Sequence, residues 1–294
     1  MSTVGKDQLT HNLDVPRAAN VSVPNAARMY DHYLGGTNNF PVDREAAEHV
    51  LRIAPWIRTT ALENRAFLGR AVRYLAGEAG LRQFIDIGTG LPTQGNVHEV
   101  AHASDPEARV VYADNDPIVL GQARALLTRT DNATIIRADL RQPDGIITQP
   151  DLTALIDWEQ PVALLLLAVL HFVADDEDPV GIVARFRGAM APGSFIVISH
   201  NHHEGDEHIV RQVTDIYRDA SSPACYRSRD EIAAFFTGFE MADPGLVSLP
   251  DWRPEPRPFP AGEVWGLCGV GRKPDVPARP AGSKTNSSRR RGNA

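Results

Sequence analysis

The chain has 294 residues, 43% of them hydrophobic, and a formal net charge of −7, which suits one large globular domain or one domain with a cap. Its longest apolar run, Val162–Val173, falls far short of the roughly 20 residues that cross a bilayer, so no membrane partner is expected. Residues 272–294 hold seven Lys/Arg and one Asp, leaving a body near −13 that repels phosphate backbones and argues against nucleic acid as the main partner.

The first 21 residues, beginning "MSTVGKDQLTHNLDV", show neither sustained periodicity nor the basic-then-apolar pattern of a secretory signal. They are expected to be disordered, and the protein cytoplasmic. Pro24 suits a first helical turn. Ala26, Ala27, Tyr30, Tyr33 and Leu34 then recur at helical spacing, and Gly35-Gly36 ends the run. Further helices are predicted from Asp43 to Ile53 and from Pro55 to Ala76. Together these segments form a helical cap over residues 22–78.

From Leu81 the pattern changes to short apolar runs separated by helical or loop segments: "RQFIDIG", "ARVVYAD", "ATIIRAD", "PVALLLL" and "GSFIVISH". Apolar strands alternating with helices predict an α/β, doubly wound, mostly parallel sheet covered on both faces. Next come "EHIVRQVTDIYRDA" and "SRDEIAAFF", the latter with Ser228 and Glu231 spaced as a capping box. "GLVSLP" and "EVWGLCGVGRK" supply two final strands as an antiparallel edge hairpin, for seven strands over residues 79–273. The loop between them, "PDWRPEPRPFPAGE", has five prolines from Pro250 to Pro260 and forbids a regular element. Residues 274–294 read as a disordered basic tail. Cys225 and Cys268 have no C-x-x-C partner and read as thiols rather than a disulfide or zinc site.

The stretch "FIDIGTGLPTQGN", Phe84 to Asn96, places Asp86 and a G-x-G turn, Gly88-Thr89-Gly90, where the first strand should end. A dinucleotide site wants a third glycine three positions later, and Thr93 stands there. Asp86 would repel a phosphate but attract an ammonium or sulfonium, and S-adenosylmethionine carries both. Asp114, followed by Asn115, ends the second strand 24 residues after Gly90, where a carboxylate can accept from both ribose hydroxyls. Asp139, between Ala138 and Leu140, ends the third, where it could accept from an adenine amino group. Each acid alone could be a helix cap or turn residue. Three at successive strand ends would face one crevice at the carboxyl edge of the sheet.

These runs, with "VVYADNDPIVL", "IIRADLRQP" and "VLHFVADDEDP", resemble class I S-adenosylmethionine-dependent methyltransferases with a Rossmann-like sheet. The upstream "ARMYDHYLGGTNNFPVDREAAEHVL" is similar to the bacterial S-adenosyl methyltransferase family. The resemblance implies that Asp86, Gly88, Thr89 and Gly90 hold the methionine end of S-adenosyl-L-methionine, Asp114 and Asn115 the ribose, and Ala138, Asp139 and Leu140 the adenine. It also implies release of S-adenosyl-L-homocysteine. Leu91 and Pro92 replace the small residues usual in this loop, so the following helix is expected to begin near Thr93 to Asn96.

Methyl transfer asks for positioning, plus a base if the acceptor is a hydroxyl or ammonium. His171 follows the fourth strand and His200 ends the fifth, and these are the candidate catalytic residues, with packing beneath the cofactor as the alternative role. The run "SHNHHEGD" gathers His200, His202, His203, Glu204 and Asp206. With no partner cluster elsewhere it reads as a pocket-side loop rather than a metal site. Tyr30, Tyr33, Asn39, Asp43, His202 and Trp252 are candidate walls of the cofactor or acceptor pocket. The acidic body favours a small-molecule acceptor, and a homo-oligomer is compatible with the sequence. A non-catalytic binder of the same cofactor or its product, and a nicotinamide-dependent oxidoreductase, are the competing functions.

Overall fold

The computed structural model describes residues 20–92, 95–128, 130–202 and 204–275. Most of the N-terminal stretch and basic tail read as disordered, together with Thr93 and His203, lies outside the described residues.

The cap opens with α1 (Ala26–Tyr33), whose first turn is closed by the Asn25 side chain accepting from the Arg28 amide at 3.2 Å. Pro24 therefore precedes the cap residue instead of sitting in the helix. Gly35, at φ +80°, takes the chain out of α1. Helix α2 (Pro41–Ile53) starts two residues before the expected Asp43, because that carboxylate accepts the Phe40 amide at 2.8 Å and Pro41 donates nothing. Helix α3 (Trp56–Arg73) runs on through a π-helical turn, Tyr74–Glu78.

The alternating unit follows as β1 (Gln83–Ile87), α4 (Val97–His102), β2 (Arg109–Asp114), α5 (Pro117–Leu127), β3 (Ala133–Arg137), α6 (Pro143–Ile147), α7 (Pro150–Thr153), β4 (Ala163–Leu167), α8 (Pro179–Ala189) and β5 (Phe195–Asn201). Asn96 caps α4, just beyond the Leu91-Pro92 departure. The chain ends with α9 (Glu207–Arg218), α10 (Arg229–Ala234), β6 (Glu240–Met241), β7 (Val247–Ser248) and β8 (Gly266–Arg272). Ser228 and Glu231 form the expected capping box of α10.

The eight strands among the described residues lie in the order β3-β2-β1-β4-β5-β8-β6, with β7 also on β8. The first five are parallel, and β8 runs antiparallel to β5. The expected seventh position is split. "GLVSLP" forms only the two residues of β7 before a 3-10 turn at Leu249–Asp251, and β6 supplies a second short piece on the same edge of β8. Pro244, between them, has no N–H for the ladder.

Strand side chains alternate between two buried faces. Phe84, Val110, Tyr112, Leu165, Val197 and Val270 pack with α3, α4 and α5, whereas Ile85, Val111, Leu164, Leu166, Ile196 and Ile198 pack with α6, α8 and α10. A third cluster joins Met29, Tyr33, Val50 and Ile57 of the cap to Val213 and Tyr217 of α9. The cap is thereby held over the carboxyl ends of β1–β5. No helix among the described residues is long and apolar enough to cross a membrane.

Candidate functional site

A cavity of about 200 Å³ opens between the carboxyl edge of the sheet and the underside of the cap. It lies where β1 and β4 send their connections to opposite faces, the place at which open α/β sheets bind ligands. Gly88 and Gly90 adopt φ +71° and +66°, backbone that favours glycine. A Cβ on Gly88 would collide with Val169, so the absence of a side chain there keeps the crevice open.

Asp86, Asp114 and Asp139 all line this cavity, with Thr89, Asn115, Ala138 and Leu140 beside them. Asp114 is organised by backbone: Oδ2 accepts the Gly90 amide at 3.0 Å and Oδ1 the Asp116 amide at 2.9 Å, leaving further lone pairs for a ligand. Burial pushes Asp114 up to about 6, against the backbone bonds that favour its ionised form. Burial likewise pushes Asp86 up to about 6, against a hydrogen bond from Thr89 and the nearby charge of Arg65. Asp139 differs. Its carboxylate is clamped by Arg141 Nη2 at 2.7 Å and Nε at 2.8 Å, and that pairing holds it below the usual carboxylate range.

His171 and His200 also line the cavity, their rings 5.3 Å apart. His200 is committed on both sides: Nδ1 lies 2.7 Å from the Asn201 carbonyl and Nε2 3.0 Å from Arg227 Nη1. Arg227 can only donate, so Nε2 is the accepting nitrogen and Nδ1 carries the proton. Burial pushes His200 down to about 3. His171 is 3% exposed, and its Nδ1 is buried without a hydrogen-bond partner among the described residues. Burial, then His200 and Arg227, hold it well below the usual imidazole range, so it is neutral.

Of the expected cap residues, Tyr30 and Tyr33 face the cavity. Asn39 and Asp43 do not. Asn39 donates to Asp31 at 2.7 Å, and Asp43 is fully buried against Arg28 Nε at 2.8 Å, so both tie the cap together internally. Trp252 is also corrected: it is fully buried and packs edge-on against Phe67 and Tyr74, because the chain after β7 turns back over α3. His202 lies off the cavity wall, bridged through its backbone to Arg227, with its Nδ1 accepting the Glu204 amide at 3.2 Å. Among the described residues no three His, Cys, Asp or Glu side chains converge as a metal site.

Sequence reasoning missed several lining residues: Asn64 and Arg65 of α3, Tyr217 of α9, and Tyr226. The signal for the first was Thr60, Glu63 and Asn64, polar residues on an otherwise apolar helix face. Asn64 Oδ1 accepts from Ser199 Oγ at 2.6 Å, and Asn64 Nδ2 donates to the Tyr30 hydroxyl at 2.9 Å. Arg65 reaches the Gly95 carbonyl at 3.1 Å and Asn96 at 3.2 Å, beside the G-x-G turn.

The sequence profile of the S-adenosyl methyltransferase family matches residues 13–274. A crystal structure of a provisionally assigned methyltransferase from Thermobifida fusca is 39% identical, superposes with a TM-score of 0.80, and covers 86% of this chain and 96% of its own. A DUF574 family protein from Streptomyces avermitilis is 37% identical with a TM-score of 0.82, covering 86% of this chain and 99% of its own. No curated protein sequence matches the chain.

Proposed function

The chain belongs to the S-adenosyl methyltransferase family, and from that premise we propose that it is an enzyme that uses S-adenosylmethionine to methylate a small molecule. The observation that carries this reading is the set of three acids at adjacent strand ends around one cavity, beside a turn whose glycines keep the crevice open. The lining offers opposite charges to the two ionic groups at the cofactor's methionine end. Asp86 would take the methionine ammonium and Arg65, across the β1 loop, the carboxylate. Asp114 would accept from the ribose hydroxyls, and Ala138 and Leu140 would flank the adenine, with Asp139 toward its amino group.

When bound, S-adenosylmethionine supplies an electrophilic methyl carbon: the acceptor's lone pair forms the new bond as the S–C bond breaks, and that electron pair stays on sulfur. The protein's part is positioning and exclusion of water by the cap. The acid excess among the lining residues favours a cationic ligand over a phosphate. His171, neutral and with Nδ1 unbonded among the described residues, is the side chain placed to accept a hydrogen bond from an O–H or N–H acceptor, though the burial that keeps it neutral also makes it a weak base. His200 instead orients the wall, since both its nitrogens are engaged.

Calorimetric titration with S-adenosylmethionine, S-adenosylhomocysteine and NAD tests the assignment. Binding of the first two, lost in Asp114→Ala, supports it; retention of NAD alone overturns it. Methyl uptake by a small acceptor then separates an enzyme from a non-catalytic binder.

A further inference from the structure

The cavity is chemically divided. Its charged lining, Asp86, Asp114, Asp116, Asp139, Arg141 and Arg65, belongs to the ends of β1 and β2 and the loops after β2 and β3 or, for Arg65, reaches to the loop after β1. The other half, beneath the cap and beside α9, is walled by the rings of Tyr30, Tyr33, Phe172, Tyr217 and Tyr226. The two histidines that border it are held neutral by burial. On the reading above, the charged half is filled by the cofactor and the aromatic half is left for the acceptor.

The hydroxyls in that half are not equivalent. The Tyr30 hydroxyl is used up, donating to the Ala61 carbonyl at 3.0 Å and accepting from Asn64. The Tyr33 and Tyr217 hydroxyls lie 3.0 Å apart, on residues 2% and 7% exposed, and either can donate to the other. Two hydroxyls carry two protons, and their mutual bond uses one. Burial holds both phenols protonated, raising Tyr33 well above its ordinary value and Tyr217 to about 12. Among the described residues one O–H thus remains uncommitted in an aromatic enclosure, where leaving a donor unpaired is costly.

We propose that this half of the cavity receives an uncharged aromatic acceptor bearing an oxygen substituent, packed among the five rings and hydrogen-bonded by the spare proton of the Tyr33–Tyr217 pair. Stacked and edge-on ring contacts favour a planar partner. The cations nearest this half among the described residues are Arg65, assigned above to the cofactor, and Arg227, which is committed to His200 and Asp175, and no carboxylate stands among the five rings, so either ion would be buried without a partner of its own.

The test uses the full chain saturated with S-adenosylhomocysteine and titrated by fluorescence with 2-naphthol, naphthalene, 2-naphthoate and 2-naphthylmethylammonium. Naphthol is expected to bind about 5–10-fold more tightly than naphthalene, the yield of one neutral hydrogen bond, and more tightly still than either ion. The double variant Tyr33→Phe with Tyr217→Phe should erase the preference for naphthol over naphthalene while keeping its affinity for S-adenosylhomocysteine. Either ion binding as tightly as naphthol, no naphthol binding to the saturated wild-type chain, or a preference that survives in the double variant would overturn the proposal. The wild-type comparison stands even if the variant does not fold. Failure of S-adenosylhomocysteine itself to bind would instead sink the cofactor reading, and this inference with it.

Discussion

Ser199 Oγ, on the last strand of the parallel unit, donates to Asn64 Oδ1 of the cap at 2.6 Å, and the same oxygen accepts the Ala168 amide at 2.9 Å. Ala168 sits at φ +51°, the sharp exit of β4 into the cavity. One buried hydroxyl therefore ties cap, β4 and β5 together. Ser199→Ala should cost roughly 1–3 kcal/mol, because it orphans the Asn64 oxygen. Urea denaturation reads the loss, and a variant as stable as wild type would show that the bond contributes nothing.

Asp114 accepts two backbone amides and keeps lone pairs directed to the cavity. Asp114→Ala is expected to weaken S-adenosylmethionine binding roughly 100-fold, the loss of two hydrogen bonds to a charged group. Calorimetry gives the ratio directly.

Because Asp86 and Asp114 are pushed up to about 6, binding should depend on pH in a range where ordinary carboxylates are silent. Both are ionised above that value and protonated below it. Affinity for the cationic cofactor should be full above about pH 7 and fall as pH drops through 6. A flat profile between pH 5 and 7.5 would contradict the roles given to these acids.

The same shifts carry a stability consequence of opposite sign. A carboxyl raised from 3.8 to about 6 on folding binds more protons in the folded state across that interval. Folding stability from Asp86 is therefore lost as pH rises from about 4 to 6, and the penalty is complete at neutral pH. Asp86→Asn should raise the stability of the ligand-free protein by roughly 1–3 kcal/mol at pH 7.5 while abolishing binding. Thermal melts with and without S-adenosylhomocysteine check both halves.

Gly88→Ala combines a left-handed backbone with a collision against Val169. A destabilisation of roughly 2–4 kcal/mol is expected. Wild-type melting behaviour in this variant would show that the turn can relax.

The sheet was legible because its strands are apolar on both faces and separated by capped helices, a pattern that admits few alternatives. The strand-end acids were legible as a group because their positions follow from strand boundaries alone. Trp252 was not: an aromatic ring in a proline-rich loop can turn to a pocket or to the core, and packing against Phe67 decides it. Asn39 and Asp43 looked like site residues because polar groups beside a glycine turn often are, yet they satisfy Asp31 and Arg28 within the cap. Tyr217 was hidden for the opposite reason, since its place on the apolar face of an amphipathic helix is that of a core residue. A hydroxyl partner 184 positions away in sequence leaves no local trace.

Helix α3 contributes Phe67, Leu68, Ala71 and Val72 to the same cluster as the sheet strands, and Thr60, Asn64 and Arg65 to the cavity roof. Roof and foundation are thus one piece of chain. The N-terminal helices cannot be exchanged as a cassette between relatives without dismantling the fold beneath them. Divergence of acceptor preference would therefore have to proceed by point substitutions on helix faces already committed to the core, a slow route that keeps the outline of the molecule constant while the lining changes.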